Sequence, residues 1–217
     1  MRKAGREAEE KAEVALRSPL LLYSSPGAAV RGLRTRAAIP FRRTNPKNPM
    51  NIRIRNETLA DAAAVEAVTV SAFLNARHTS HTEQFIVSAL RKAGSLSISL
   101  VADVEGSVVG HVAVSPVSIS DGASGWFGLG PLSVVPEHQR RGVGSRLMRE
   151  ALRILRERRA AGCVLLGDPE YYGRFGFQVD PNLILPNVPP EYFQAISLDS
   201  SRPHGTVSYH EAFNAQD

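Results

Sequence analysis

The sequence predicts an α+β domain with a mostly antiparallel sheet, and three observations point there. From Met50 onward the hydrophobic pattern alternates between strand and helix periods in the order β-α-α-β-β-β-α-β-α-β. Three of these strands are consecutive, and Glu105-Gly106 between the first two is a turn pair suited to an antiparallel hairpin. One strand also runs through a glycine-containing loop straight into the longest helix of the chain.

Each element has its own local signal. Asn51–Arg55 alternates polar and apolar residues, as a half-buried strand does. Thr58 with Asp61 forms a capping box, which predicts a helix through about Phe73. A second helix is expected over His81–Lys92, closed by Gly94. Leu96–Val104, Val108–Ser118 and Trp126–Val135 read as the three consecutive strands, the last with Gly130-Pro131 inside it. Gly142–Arg159 carries Val143, Leu147, Leu152 and Leu155 near helical spacing. Gly162–Leu166 is a short apolar strand, Tyr171–Phe175 a helical turn, and Thr206–Tyr209 a further strand. Pro181, Pro186, Pro189 and Pro190 predict an irregular wall between the last two.

Residues 1–49 differ from the rest. They hold 11 Lys+Arg against 4 Asp+Glu, while the remainder holds 15 against 17. The net charge of +5 therefore belongs to the extension, and the patterned part is near neutral. Prolines 26, 40, 46 and 49 and scattered arginines predict a disordered or loosely attached basic extension, with residues 50–217 as the folded domain. Either Met50 is the true start or the extension is a targeting peptide, and the early glutamates count against the second. Basic charge in a low-aromatic tail, rather than on a patterned face, argues against nucleic-acid binding. No run approaches the roughly 20 apolar residues of a membrane span. Cys163 is the only cysteine, sits in an apolar run and reads as a buried thiol, so a cytoplasmic protein is expected, with no metal site.

The chemistry concentrates in the segment from Leu129 to Ser145. It predicts a strand, a tight loop and a helix start at Gly142-Val143-Gly144. First-turn N–H groups have no intrahelical acceptor and sit at the positive end of the helix dipole, so such a start cradles anions, a diphosphate included. Arg140 and Arg141 add charge. Pro131 cannot donate to a ladder and marks a bulge or an edge, where free backbone groups can pair with a ligand's amides. A glycine-rich turn joining strand to helix is the plain alternative. The dinucleotide fingerprint fails at Leu147, and Gly144-Ser145-Arg146 is no phosphate P-loop.

Gln139-x-x-Gly142-x-Gly144 after Leu132-x-Val134-x-Pro136 resembles the acetyl-CoA motif of the GNAT N-acetyltransferases. Tyr172-Gly173-Arg174-Phe175-Gly176-Phe177 is similar to that family's closing Y-x-x-x-G-F motif. The resemblance covers residues 50 to about 180 and looks like that to a bacterial subgroup of the family. It implies an α/β/α arrangement around a mixed, mostly antiparallel central sheet, with a bulged strand before the acetyl-CoA loop. It implies transfer of an acetyl group from acetyl-CoA, as cosubstrate, to a small-molecule amine or a protein amino group, and it leaves a homodimer open. Backbone groups of Leu132, Ser133 and Val134 would hold pantetheine and thioester. Gln139, Arg140, Arg141, Gly142, Val143, Gly144 and Ser145 would hold the diphosphate. Tyr172 matches the general acid that protonates the leaving thiolate, against a plain reading as a packing aromatic, with adjacent Tyr171 as the fallback.

The general base has no such match, because Trp126–Val135 carries no carboxylate. Candidates are Glu83 and His81 at the second helix start, His111 on the third strand, Asp168 past the fifth, and a water chain. Glu83 equally suits a helix N-terminus without chemistry. A non-catalytic acyl-CoA-binding or sensor domain is the alternative to an enzyme, and a proton donor at 172 favours the enzyme.

Overall fold

The computed structural model describes residues 51–74 and 81–216. The basic extension and its two readings lie outside the described residues. The elements are β1 (Ile52–Asn56), α1 (Ala62–Phe73), α2 (Glu83–Lys92), β2 (Ile98–Val104), β3 (Ser107–Ile119), β4 (Trp126–Val134), α3 (Val143–Glu157), β5 (Gly162–Leu166), α4 (Pro169–Tyr172), β6 (Leu183–Ile184), β7 (Phe193–Ser197) and β8 (Gly205–Tyr209). The main sheet runs β1-β2-β3-β4-β5-β7, with β8 on the far end of β3 and β6 on β8. Among the described residues only β4–β5 and β6–β8 pair in parallel, so the sheet is mixed and mostly antiparallel, as expected.

Strand periodicity sorts the side chains between two faces. Leu100, Ala102, Val112, Leu132 and Val134 meet Val143, Leu147, Met148, Ala151 and Leu155 of α3 in the largest core cluster. On the opposite face Val101 meets Val65 of α1 and Val87 of α2. The sheet thus lies between helix layers. At the hairpin Glu105 and Gly106 both have positive φ, 53° and 84°, the backbone of the tight turn expected there. Asp61 accepts from the Thr58 N–H at 2.8 Å and takes two bonds from Arg55, so the capping carboxylate also ties the start of α1 to β1.

Two expectations are corrected. The second helix begins at Glu83, two residues late, because His81 is left-handed at φ 58° and cannot sit in a helical turn. The proline-dotted stretch after Val179 is more regular than expected. It supplies β6 and β7, and β7 pairs with β5 along its whole length. Pro181 precedes β6, and Pro186, Pro189 and Pro190 lie between β6 and β7, which leaves Phe193–Ser197 with every backbone donor intact.

Candidate active site

The site is an opening in the sheet. β4 pairs with β5 only from Trp126 to Gly128, against Gly162 to Val164. On its other edge β4 stays on β3, but Val112 faces Leu132 and Val114 faces Leu129. Gly130 and Pro131 therefore oppose Ala113 alone, which is a bulge. Beyond it β4 is no longer paired with β5, and among the described residues the β5-side backbone groups of Leu132 to Val134 have no strand partner there.

The loop after β4 leads to the start of α3. The Gln139 side-chain amide donates to the Val134 carbonyl at 3.0 Å and ties the loop to the end of the strand. Arg140 and Gly142 take positive φ, 58° and 84°, which turns the chain into the helix. Gly142 needs that freedom and has open space beside it. Arg140, Arg141 and Gly142 are exposed, whereas the Val143 side chain is buried and anchors the helix start in the core. Ser145 and Gly144 are half-buried.

The two tyrosines of α4 go to different places. The Tyr172 ring is buried among Tyr171 and Phe177, flat against Gly167, where an added β-carbon would stand 2.3 Å from the ring. The Tyr171 hydroxyl reaches the first turn of α3 beside Gly144 and Ser145. Its ring carries the Arg174 guanidinium 4.0 Å from its centre. Burial raises the Tyr171 phenol above its ordinary value, and the cation and the Ser145 bond oppose that. The diphosphate cradle read from the sequence thus has a phenol at its edge, contributed by the residue next to the matched tyrosine.

The base candidates separate cleanly. Asp168 is spent as the cap of α4, accepting from the Glu170 N–H at 2.9 Å. His81 is exposed. Glu83 and His111 are both fully buried. His111 lies on β3 directly opposite Ser133 of β4. Its Nε2 is 2.8 Å from the Ser99 hydroxyl, which in turn bonds Glu57. Arg91 of α2 donates to the other Glu57 oxygen at 3.0 Å. Sequence reasoning missed Glu57, Ser99 and Arg91. They come from a loop, a strand and a helix far apart in the chain, and no spacing marks them.

The family model described as an acetyltransferase (GNAT) domain matches residues 95–179. The uncharacterized N-acetyltransferase YhbS of Escherichia coli (strain K12) is 36% identical over 157 residues, 69% of this chain and 94% of that protein. The chain belongs to the GNAT N-acetyltransferase family. A GNAT family acetyltransferase from Brucella melitensis, solved in complex with acetyl-CoA, is 44% identical with a TM-score of 0.68, over 76% of this chain and 99% of that one. YhbS from Escherichia coli, solved in complex with CoA, gives 34% and 0.70, over 80% and 96%. As a member of this family the chain is an acyltransferase. Among the described residues no group of His, Cys, Asp and Glu is placed to hold a metal ion, and no helix is long and apolar enough to cross a membrane.

Proposed function

We propose that this GNAT enzyme binds acetyl-CoA in the opening between β4 and β5 and passes its acetyl group directly to a primary amine, on a small molecule or a protein. The observation that carries this is the separation of β4 from β5 beyond Gly128, directly ahead of the glycine-bearing start of α3. The backbone of Leu132, Ser133 and Val134 offers an edge to the two amides of pantetheine, as an added strand would. The amides from Arg140 to Ser145 offer the diphosphate a helix N-terminus, with Arg140 and Arg141 beside it. The relatives solved with acetyl-CoA and CoA support the same ligand here.

Tyr172 is the proton donor in this reading. It protonates the thiolate as the C–S bond breaks, and its burial against Gly167 and Phe177 holds the ring in one orientation. Glu83 and His111 are the two buried groups that compete for the base. A cytoplasmic location fits a chain whose one cysteine, Cys163, is a buried free thiol.

The test is thiol release from acetyl-CoA with a panel of spermidine, kanamycin and an alanine-terminated peptide, on wild type and Tyr172→Phe. The expected result is turnover with one of these amines and a drop in kcat of about 10²-fold in the variant, at an unchanged KM for acetyl-CoA. Tight acetyl-CoA binding, no turnover with any amine and no effect of the substitution would make the chain an acyl-CoA sensor.

A further inference from the structure

Beneath the opening, on the α1 and α2 side of the sheet, lies a chain of four polar groups with one open end. Arg91 and Ser99 both donate to Glu57, Ser99 with its only hydroxyl proton. The Ser99 oxygen can then only accept from His111 Nε2, 2.8 Å away. Glu57 Oε2, 3.6 Å from the same nitrogen, is also an acceptor. Both neighbours thus demand a proton on Nε2, and the neutral ring is left with a bare lone pair on Nδ1. That Nδ1 is fully buried and, among the described residues, has no hydrogen-bond partner. A buried polar atom left unpaired has a cost and calls for an explanation.

The register supplies one. His111 and Ser133 are direct cross-strand partners, so their side chains share a face with β-carbons about 5 Å apart. The Ser133 hydroxyl donates to Thr69 Oγ1 at 3.3 Å, a long bond, and Thr69 is itself satisfied by the Val65 carbonyl at 2.8 Å. A change of the Ser133 rotamer that takes its hydroxyl off Thr69 would carry it toward Nδ1, on the same face of the sheet. We infer that His111, oriented by Ser99 and Glu57, is the terminal proton acceptor of the acetyl transfer, reached through the Ser133 hydroxyl. This rests on the acetyl-transfer reading above and chooses His111 over Glu83.

The step balances. The amine nitrogen forms its bond to the thioester carbon and becomes cationic. Its proton passes to Ser133 Oγ while the Ser133 proton passes to His111 Nδ1. The C–S bond breaks and the thiolate takes the Tyr172 proton. The imidazolium so formed faces Glu57, with Arg91 beyond it. Among the described residues these are the two charges acting on the ring, and Ser133 and its partner Thr69 carry none. Burial holds the resting imidazole below its ordinary pKa, which keeps the lone pair available at neutral pH.

Two measurements on the full chain test this. The imidazole nitrogen-15 spectrum at pH 7 should show His111 protonated on Nε2 and bare on Nδ1, and an Nδ1-protonated ring would overturn the inference without any assay. His111→Gln places an amide donor near the Nε2 position toward Ser99 and removes the base. With acetyl-CoA and the best amine of the panel, kcat should fall about 10²-fold and lose its acid limb. Affinity for coenzyme A by calorimetry should stay within about twofold. If the variant does not fold, Ser133→Ala removes the intermediate hydroxyl and should show the same loss. A kcat within about threefold of wild type in either folded variant overturns the inference, and Nδ1 then holds only an internal water. A wild type that binds acetyl-CoA yet acetylates no amine overturns the acetyl-transfer reading, and the assignment to His111 with it.

Discussion

The Tyr171 hydroxyl occupies the place where Gly144 has no side chain: a β-carbon on residue 144 would stand 2.6 Å from the phenolic oxygen. The start of α3, where we propose that the diphosphate binds, and the short helix α4 are thus fitted to one another at a single atom. Alanine at this position is compatible with the general acetyl-CoA motif, but in this chain it meets Tyr171. Gly144→Ala is expected to weaken acetyl-CoA binding about tenfold, near 1.4 kcal/mol, because Tyr171 must swing into the opening. Tyr171→Phe removes the clashing atom, so the double variant should bind more tightly than Gly144→Ala alone. Calorimetric titration of the three variants with coenzyme A checks this, and additive losses would show that the two residues do not press on each other.

A second close approach locates the C-terminal segment. The Tyr209 ring of β8 lies over Gly128 of β4, so an added β-carbon at 128 would fall 2.3 Å from the ring edge and 3.0 Å from Val117. Tyr209 also stacks on Phe213, which packs with Ile86 and Leu90 of α2. The end of the chain is therefore bound to both the sheet and the second helix. Gly128→Ala should overpack this contact at a cost of about 1–3 kcal/mol, a fall in thermal midpoint of about 3–10 °C. Gly128→Ala in a Tyr209→Leu background should cost less. Thermal unfolding of the four proteins gives the coupling, and a Gly128→Ala midpoint equal to wild type would show that Tyr209 is not held there.

How legible this molecule is from its sequence depends on how local each signal is. The loop Gln139–Gly144 is readable because one short stretch carries the turn, the missing side chains and the helix start. The bulge at Gly130-Pro131 is readable because proline cannot serve a ladder on its N–H side. β7 is not, since its partner β5 lies some thirty residues earlier and nothing in Phe193–Ser197 marks the pairing. The Glu57–Ser99–His111–Arg91 chain is hidden for the same reason. His111 alone stood out, and it became interpretable only once register placed it across from Ser133.

Cys163 offers a simple check on the core. It is fully buried on β5, and burial pushes its thiol far above the ordinary range. An alkylating reagent at pH 8 should leave the folded protein unmodified and label one site per chain once denaturant is added. Prompt labelling of the native protein, read by mass spectrometry, would mean that β5 is accessible and that the β4–β5 opening extends deeper than the strand pairing indicates.

The buried network should also contribute to the acid stability of the fold, and the sign of its share follows from its two titrating groups. Burial holds the folded His111 imidazole below its ordinary 6.5, against the pull of Glu57. Below that pH the unfolded chain takes up a proton that the folded one does not, so stability falls as pH drops through 6.5. Burial alone would raise the Glu57 carboxyl, but the bonds from His111 and Ser99 and the nearby positive charges outweigh it and leave the group at about 2 instead of 4.5. Its contribution is complete above 4.5 and is lost as pH falls from there toward 2. The thermal midpoint should thus be level from pH 8 to 7, decline below about 6.5, and decline more steeply below about 4.5. His111→Gln should shrink the first decline to the part that buried His138 contributes and, by removing one of the groups that hold the Glu57 carboxyl down, weaken the second. Glu57→Gln should reduce the second, which Asp61 shares, and, by freeing His111 from its carboxylate, deepen the first. Midpoints for the three proteins from pH 8 to pH 3 in matched ionic strength decide it. A wild-type curve that stays level down to pH 5 would mean that His111 takes up its proton in the folded state.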